Sequence, residues 1–387
     1  MTVLWQPKLD AQASKWRDLA DQLGRDQFGP LAPELDRDQR YPWETIDTLV
    51  AHKFTGLFLP REWGGEGQSL TTTVAAVETL GSHCSSTAAI MCAYQLGAFP
   101  ILLAGTTEQK NLYLREMTHG RATSFALSER VAGSDAAAIE TTATRKGDGW
   151  HLKGEKYWIG NGGASRYYVV FAKTDPEAGG RGISAFMVDK EQEGVVIDEL
   201  SDRMGIRGTQ TSNLKVDLVV PDSNRIGELH RALRLALQTL NVGRIMVSAQ
   251  SMGLAIAAYD EAAKRSVERK AFGQSIGENQ GIGFKLADMA TQISAARLML
   301  YEAARAYDAG EDVSTLGAMS KLFTSEVSHF AANEAVQIWG GMGYCKPTTV
   351  ERLYRDQRIL EIYEGSSEIQ RLVLSRAIRK DVQDQGA

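Results

Sequence analysis

"TTATRKGDGWHLKGEKYWI", residues 141–159, is the stretch whose reading decides the fold. β-Branched and aromatic residues flank Gly147, Asp148 and Gly149, and a glycine-bounded turn between such runs is a hairpin signal. Downstream, "RYYVVFAKTD" (166–175), "GISAFMVDK" (182–190), "EGVVIDEL" (193–200) and "SNLKVDLVVP" (212–221) continue as short strands separated by turn residues. Strands that follow strands with no helix between them argue for an antiparallel sheet or barrel and against a Rossmann unit.

On both sides of this segment the texture is helical. "WRDLADQLGRDQFG" (16–29), "PWETIDTLVAHKF" (42–54) and "EQKNLYLREMTHG" (108–120) carry apolar residues at steps of three and four, with the glycine-rich loop "LPREWGGEGQS" (59–69) between them. In the C-terminal part, Leu286, Met289, Ile293, Ala296, Leu300 and Ala303 form the seam of a bundle helix, and 241–270 and 313–339 read as equally long helices. The spacing therefore predicts an α+β chain. It has an N-terminal helical domain (1–120), a central antiparallel β-barrel domain (121–228) and a C-terminal four-helix bundle (229–387).

The 387 residues are 43% hydrophobic and 24% charged, with a net charge of −5, which is the balance of a soluble globular protein. No Lys/Arg cluster stands out, so nucleic acid and acidic membrane surfaces are poor partners. No apolar stretch is expected to reach the ~18 residues a bilayer span needs. The start, "MTVLWQPKLDAQASKW", lacks the features of a signal or transit peptide. Cys84, Cys92 and Cys345 are few and widely spaced, which suggests reduced thiols in a cytoplasmic setting. The scattered histidines, without HExxH or CxxC, make a metal site unexpected.

Several short stretches carry candidate chemistry. In "EIYEGSSEIQRLVLSRAI" (361–378), Gly365 and Ser366 suit the N-cap of a helix and Glu368 its first turn, whereas Glu364 precedes the helix and is not needed to cap it. Glu364 reads either as a solvated surface residue or as a general base whose pKa is raised by burial. "QIWGGMGY" (337–344) suits phosphate approach to backbone N–H groups or a plain helix C-cap. Arg269 suits a pyrophosphate or the carbonyls of a helix end. "SERVAGSD" (128–135) and "YWIGNGG" (157–163) read as ordinary turns, or as hydroxyl donors and an indole beside a ligand. No GxGxxG follows a strand, so any dinucleotide is held outside the Rossmann manner.

Taken together and in order, "LSERVAGSD", "KYWIGNGG", "ERKAFGQSIGENQGI", "QIWGGMGY" and "RDQRILEIYEGSSEIQRLVLSRAI" resemble the acyl-CoA dehydrogenase family of flavoproteins. "LPREWGGEG" and "LLAGTTEQK" extend the resemblance to the N-terminal part. It implies the three-domain fold read above, non-covalent FAD with part of its site from a second subunit, and a homotetramer built as a dimer of dimers. By the same resemblance Phe125, Leu127 and Ser128 lie along the flavin, Trp158 covers a flavin face, and Gly160 lies near its N5. Arg269, Phe272, Gln280, Gln337 and Gly341 hold the pyrophosphate and adenosine end, and Ser366 and Glu368 also touch FAD. Ser134, Arg244, Tyr363 and the backbone of Gly365 contact the thioester ligand, and Asn241 its pantetheine arm. "MCAYQLG" (91–97) lines the acyl pocket, with Tyr94 and Gln95 either adding polarity there or facing away as core or rim residues. Some relatives carry their base at the position of Gly243, so here the duty falls on Glu364.

The implied reaction is oxidation of an acyl thioester to the trans-2-enoyl thioester, with an electron-transferring flavoprotein as acceptor. Three departures bear on this. Glu129-Arg130 replaces the usual Glu-Pro, placing a cation near the substrate-facing loop. Gly160 replaces the usual Thr, and Asn241 the usual Asp. They widen the expectation to a carrier-protein thioester and to an oxidase using O2. A flavin monooxygenase on the same fold is disfavoured by retention of the carboxylate at 364.

Overall fold

From β1 (Thr123–Ala126) onward the chain forms one eight-stranded sheet from β2 (Thr142–Lys146), β3 (Gly149–Ile159), β4 (Tyr167–Lys173), β5 (Ile183–Asp189), β6 (Val195–Glu199), β7 (Ser212–Pro221) and β8 (Arg225–Ile226). The structure is a computed structural model and describes residues 3–199 and 202–385. Lys146 pairs with Gly149 across the predicted turn, where Gly147 takes φ +58°, a left-handed conformation that glycine adopts freely. The order is β6-β7-β3-β2-β4-β5-β8, with β1 on β4. The pairing is antiparallel except for β1 with β4 and the single β2–β4 contact, which are parallel. Alternation alone could not reveal these, because it gives side-chain facing and not strand direction. Leu214, Val216, Leu218 and Val220 of β7 turn inward with Trp150, Leu152, Tyr168, Val170 and Phe186 to form a core of their own.

The N-terminal part folds as α1 (Ala11–Leu23), α2 (Gly29–Asp38), α3 (Trp43–Ala51), α4 (Leu70–His83), α5 (Ser85–Ala104), α6 (Thr107–Gln109) and α7 (Arg115–Thr118). Asp10 caps α1 by accepting from Ala13 N at 2.7 Å, and Ser69 caps α4 by accepting from Thr72 N at 3.0 Å. The expectation that no apolar stretch reaches membrane-spanning length needs correcting. α5 has 20 residues with a mean hydropathy of 1.6 and is long and apolar enough. It is nonetheless a core helix, wrapped by α4, β1 and α8 (Ala232–Glu268).

The C-terminal part continues with α9 (Gln280–Asp308), α10 (Ser314–Trp339), α11 (Thr349–Gln357) and α12 (Ser367–Gln385). α8 runs for 37 residues, about 55 Å. It has no polar stripe in its middle because neighbours cover every side. α4 approaches so closely that a Cβ on Gly253 would lie 2.2 Å from the Glu78 carbonyl oxygen. A short hairpin, β9 (Lys270–Ala271) with β10 (Gln274–Ser275), links α8 to α9 and lifts Phe272 fully into solvent.

Two ionic ties lock the parts together. Glu78 on α4 accepts two hydrogen bonds at 2.8 Å from Arg297 on α9 and one at 2.9 Å from Tyr301, all deeply buried. Arg355 on α11 pairs bidentately with Asp36 on α2 at 2.6 Å, and Asp356 accepts from Ile206 N at 2.6 Å. The second tie fixes the segment that leads into residues 358–366. Glu78→Gln leaves Arg297 charged and poorly paired in the core, so denaturant unfolding is expected to show a loss of about 3 kcal/mol. A loss below about 1 kcal/mol would contradict the tie.

Candidate active site

Residues 364 and 365 form an elbow between the turn after α11 and α12. Glu364 has φ +56° and Gly365 φ +88°. The left-handed conformation costs a non-glycine residue about 1 kcal/mol or more, so neighbours must hold it in place. Gln370 Nε2 donates to the carbonyls of Glu364 (3.2 Å) and Gly365 (2.7 Å), and Lys321 Nζ donates to that of Gly365 at 2.9 Å. Tyr363 is anchored by its hydroxyl, which donates to Gln250 Oε1 on α8. Clamped in this way, the backbone turns the Glu364 side chain inward.

The carboxylate ends against α8. A Cβ built on Gly243 would lie 2.6 Å from Glu364 Oε2 and 3.2 Å from Leu96 Cδ1 of α5. The residue as a whole is half-buried, but Oε2 itself is out of contact with solvent and has no hydrogen-bond partner among the described residues. Burial pushes its pKa up to about 7, against the downward pull of Lys321 and Arg244. Burial likewise pushes Lys321 down to about 8, with Glu364 and Glu361 opposing that shift. Arg244 is 5% exposed; its Nη1 donates to Asn241 Oδ1 at 2.9 Å and its Nε has no partner among the described residues. A carboxylate pushed to about neutrality, turned toward Gly243 of α8 and Leu96 of α5 and under the pull of two cations, is suited to abstracting a weakly acidic proton.

The other predicted residues fall into two groups. In the β domain, Phe125 tilts against Phe171 with ring centroids 4.8 Å apart. The carbonyl of buried Leu127 accepts from Lys156 Nζ at 3.1 Å, and that of Ser128 from Tyr157 N at 2.9 Å, which lays this loop along β3. Between Lys156 and Ile159 the β3–β7 register breaks; within that break Trp158 has φ +58° and its ring is 55% exposed. A Cβ at Gly160 would meet only Ala93 Cβ, at 3.5 Å. At α12, Ser366 directly precedes the helix and hydrogen-bonds the Glu368 carboxylate, holding it below the usual range. Ser134 is exposed on its loop.

Arg269, Phe272, Gln280, Gln337 and Gly341 lie elsewhere, all exposed, at the far ends of α8 and α10. Arg265 stacks on Trp339 at 4.9 Å and joins those two ends. From Gly243 to Arg269 the helix rises about 39 Å.

Of the alternatives left open for Tyr94 and Gln95, the structure gives the core one for both. The Tyr94 hydroxyl donates to the Gly120 carbonyl at 2.7 Å, so it is a core tyrosine that brings no free polarity to the pocket. Arg130 points to solvent, whereas its neighbour Glu129 is buried on Lys156 at 2.6 Å. Gln95 is 1% exposed, and neither of its amide atoms has a partner among the described residues. Lys321 and Gln250 were not anticipated. The available signal was a lysine at helical spacing among Gly317, Ala318 and Thr324, a small-residue face that suits close packing and on which a buried cation needs a partner.

Three family models cover the chain: the acyl-CoA dehydrogenase N-terminal domain matches residues 10–121, the middle domain 124–219 and the C-terminal domain 231–379. The chain belongs to the acyl-CoA dehydrogenase family. It is 41% identical over 368 residues to a 3-(aryl)acrylate reductase of Clostridium sporogenes, with 94% of this chain and 97% of that protein covered. Its structure matches butyryl-CoA dehydrogenase from Megasphaera elsdenii with a TM-score of 0.94 at 36% identity, covering 97% and 100% of the two chains. It matches the prolyl acyl carrier protein oxidase AnaB with a TM-score of 0.93 at 27% identity, covering 96% and 100%.

The acyl-CoA dehydrogenase family is flavin-dependent, and the residues here fit that cofactor. Trp158 presents an open aromatic face, and Cβ atoms at Gly281, Gly283, Gly340 and Gly341 would meet nothing within 4 Å, so those backbones are free to be approached.

Because Lys321 lowers the Glu364 pKa, Lys321→Met should raise it and move the acid limb of the kcat/KM–pH profile from about 7 to higher pH. Lys321→Arg should leave that limb near its original position. A Met variant whose limb does not move would show that the lysine acts only through packing.

Proposed function

We propose that this protein is an FAD-dependent dehydrogenase of acyl thioesters, yielding the trans-2-enoyl thioester with Glu364 as the base. The observation that carries the reading is the buried, unpartnered Oε2 of Glu364, turned toward Gly243 of α8 beside Leu96 of α5. The α-proton of a saturated thioester is weakly acidic, so the base needs help. The backbone N–H of Glu364 donates to the thioester carbonyl and stabilises the enolate that develops. Glu364 takes the α-proton, and its pKa near 7 rises further as the ligand expels water. FAD, when bound, supplies the acceptor for the β-hydride.

Trp158 and Ser128 lie along the flavin, and Arg244 and Asn241 guide the pantetheine arm. The half-set of Arg269, Phe272, Gln280, Gln337 and Gly341 is too far along α8 to reach the same dinucleotide. A second copy of the chain therefore supplies it, within a homotetramer built as a dimer of dimers. An electron-transferring flavoprotein collects the electrons, in a cytoplasmic setting, and the acyl group rides on coenzyme A or a carrier protein.

A second reading, an oxidase that passes electrons to O2, is favoured by glycine at 160, which brings no side chain there, and by the similarity to AnaB. Anaerobically reduced enzyme that decays in air within seconds would select it. Slow decay with fast transfer to the flavoprotein would select the dehydrogenase.

Glu364→Gln is expected to keep its yellow flavin while losing substrate bleaching by at least about 10³-fold. Stopped-flow absorbance with acyl-CoA substrates measures this, and undiminished reduction would refute the role of Glu364.

A further inference from the structure

The loop between β6 and β7 holds a backbone conformation that its own sequence does not favour. Ile206 has φ +42°, and a β-branched residue is rarely left-handed, so contacts from outside the loop must keep it there. Those contacts come from both helical parts of the chain. On α11, Asp356 is 4% exposed and accepts from Ile206 N at 2.6 Å. A Cβ on Gly205 would lie 2.3 Å from the Arg355 carbonyl oxygen, so the two backbones touch. On α2, the Asp36 carbonyl accepts from Arg207 Nε at 2.8 Å, and at the start of α5, Ser86 Oγ accepts from Gly208 N at 3.2 Å. Inside the loop, the Ile206 carbonyl accepts from Thr209 N at 3.0 Å and from Thr209 Oγ1 at 2.8 Å.

The exit of the same loop meets the segment that carries Trp158. A Cβ on Gly163 would lie 2.4 Å from Gln210 Cδ, and one on Gly162 would lie 3.0 Å from Ser212 Cβ. Ser212 opens β7 and pairs with Ile159, the neighbour of Trp158. In the other direction, the chain runs from Asp356 at the end of α11 into the elbow, with Glu364 eight residues on. Residues 202–210 therefore touch the Trp158 segment on one side and the approach to Glu364 on the other.

We propose that this loop is a brace that sets the spacing between segment 158–163 and the Glu364 elbow, and that Asp356 is the positioning residue that seats it. The inference rests on the thioester reading above. Loss of the α-proton and of the β-hydride takes place at adjacent carbons, so base and acceptor must stand at a fixed separation across the ligand. Gln370 and Lys321 fix where the elbow points, but they do not reach segment 158–163 in the β domain. The brace does reach it, and its left-handed isoleucine is kept in register by the Asp356 bond. Without that bond the loop relaxes, and Gln210 shifts under Gly163.

Two measurements on the holoenzyme test the brace. One is amide hydrogen exchange in peptides covering 157–164 and 202–211. The other is stopped-flow flavin reduction by whichever of butanoyl-, octanoyl- and phenylpropanoyl-CoA reduces the wild type fastest. Asp356→Ala should exchange about tenfold faster in both peptides and reduce its flavin about 30-fold more slowly. Asp356→Asn, whose amide oxygen still accepts from Ile206 N, should stay within about threefold of the wild type in both measurements. Gln210→Ala keeps the seat on α11 and should loosen the 157–164 peptide about fivefold, which tests the brace even if Asp356→Ala does not fold. Glu78→Gln weakens the α4–α9 tie instead and should leave that peptide within about twofold of the wild type. Unchanged exchange of 157–164 in Gln210→Ala and in any folded Asp356→Ala, an equal rise in Glu78→Gln, or an Asn variant as impaired as the Ala variant would overturn the proposal. If no thioester reduces the wild-type flavin, the dehydrogenase reading fails, and the exchange comparison decides the brace by itself.

Discussion

A carboxylate taken out of water is uncomfortable there unless something holds it, and the architecture around residue 364 is arranged to impose that discomfort. Two consecutive left-handed residues turn the chain, Gln370 and Lys321 grip their carbonyls, and the side chain is left facing Gly243 with one oxygen unsatisfied. The gap between the ordinary glutamate pKa and about 7 is the signature of that burial, moderated by Lys321 and Arg244. Everything that positions α8, α10 and α12 relative to one another therefore acts on the chemistry. The distant Arg355–Asp36 pair takes part as well, because it anchors the segment that runs into the elbow.

The architecture was legible where local patterns decide it. The turn at Gly147-Asp148, the alternation in β7 and the seam on α9 all appear in the folded chain. Strand direction was not legible, and the parallel β1–β4 pairing depends on where the chain returns after the excursion through β2 and β3. α5 was underestimated because its apolar run is broken by small polar residues that do not stop a helix from being buried. At the site, the existence of an acid before α12 was plain, but its inward direction depends on Gln370 and Lys321, which lie in different segments of the chain. Tyr94 and Gln95 adjoin in sequence yet differ in fate, because neighbouring helix positions face about 100° apart.

The elbow at Glu364 meets α8 near Gly243, and the exposed set around Phe272 follows the other end of that long helix. That helix acts as a spacer. A fully exposed phenylalanine at a hairpin tip and open glycine backbones at the end of α10 are the features on which the proposed second copy of the chain rests.

The carboxylate rests where a side chain at 243 would begin, so the two positions, more than a hundred residues apart in the chain, share one volume. Any larger residue at 243 pushes the far end of the Glu364 side chain aside, and the acid then stands elsewhere relative to whatever it acts on. Glycine on α8 leaves the aim of the carboxylate to the elbow alone.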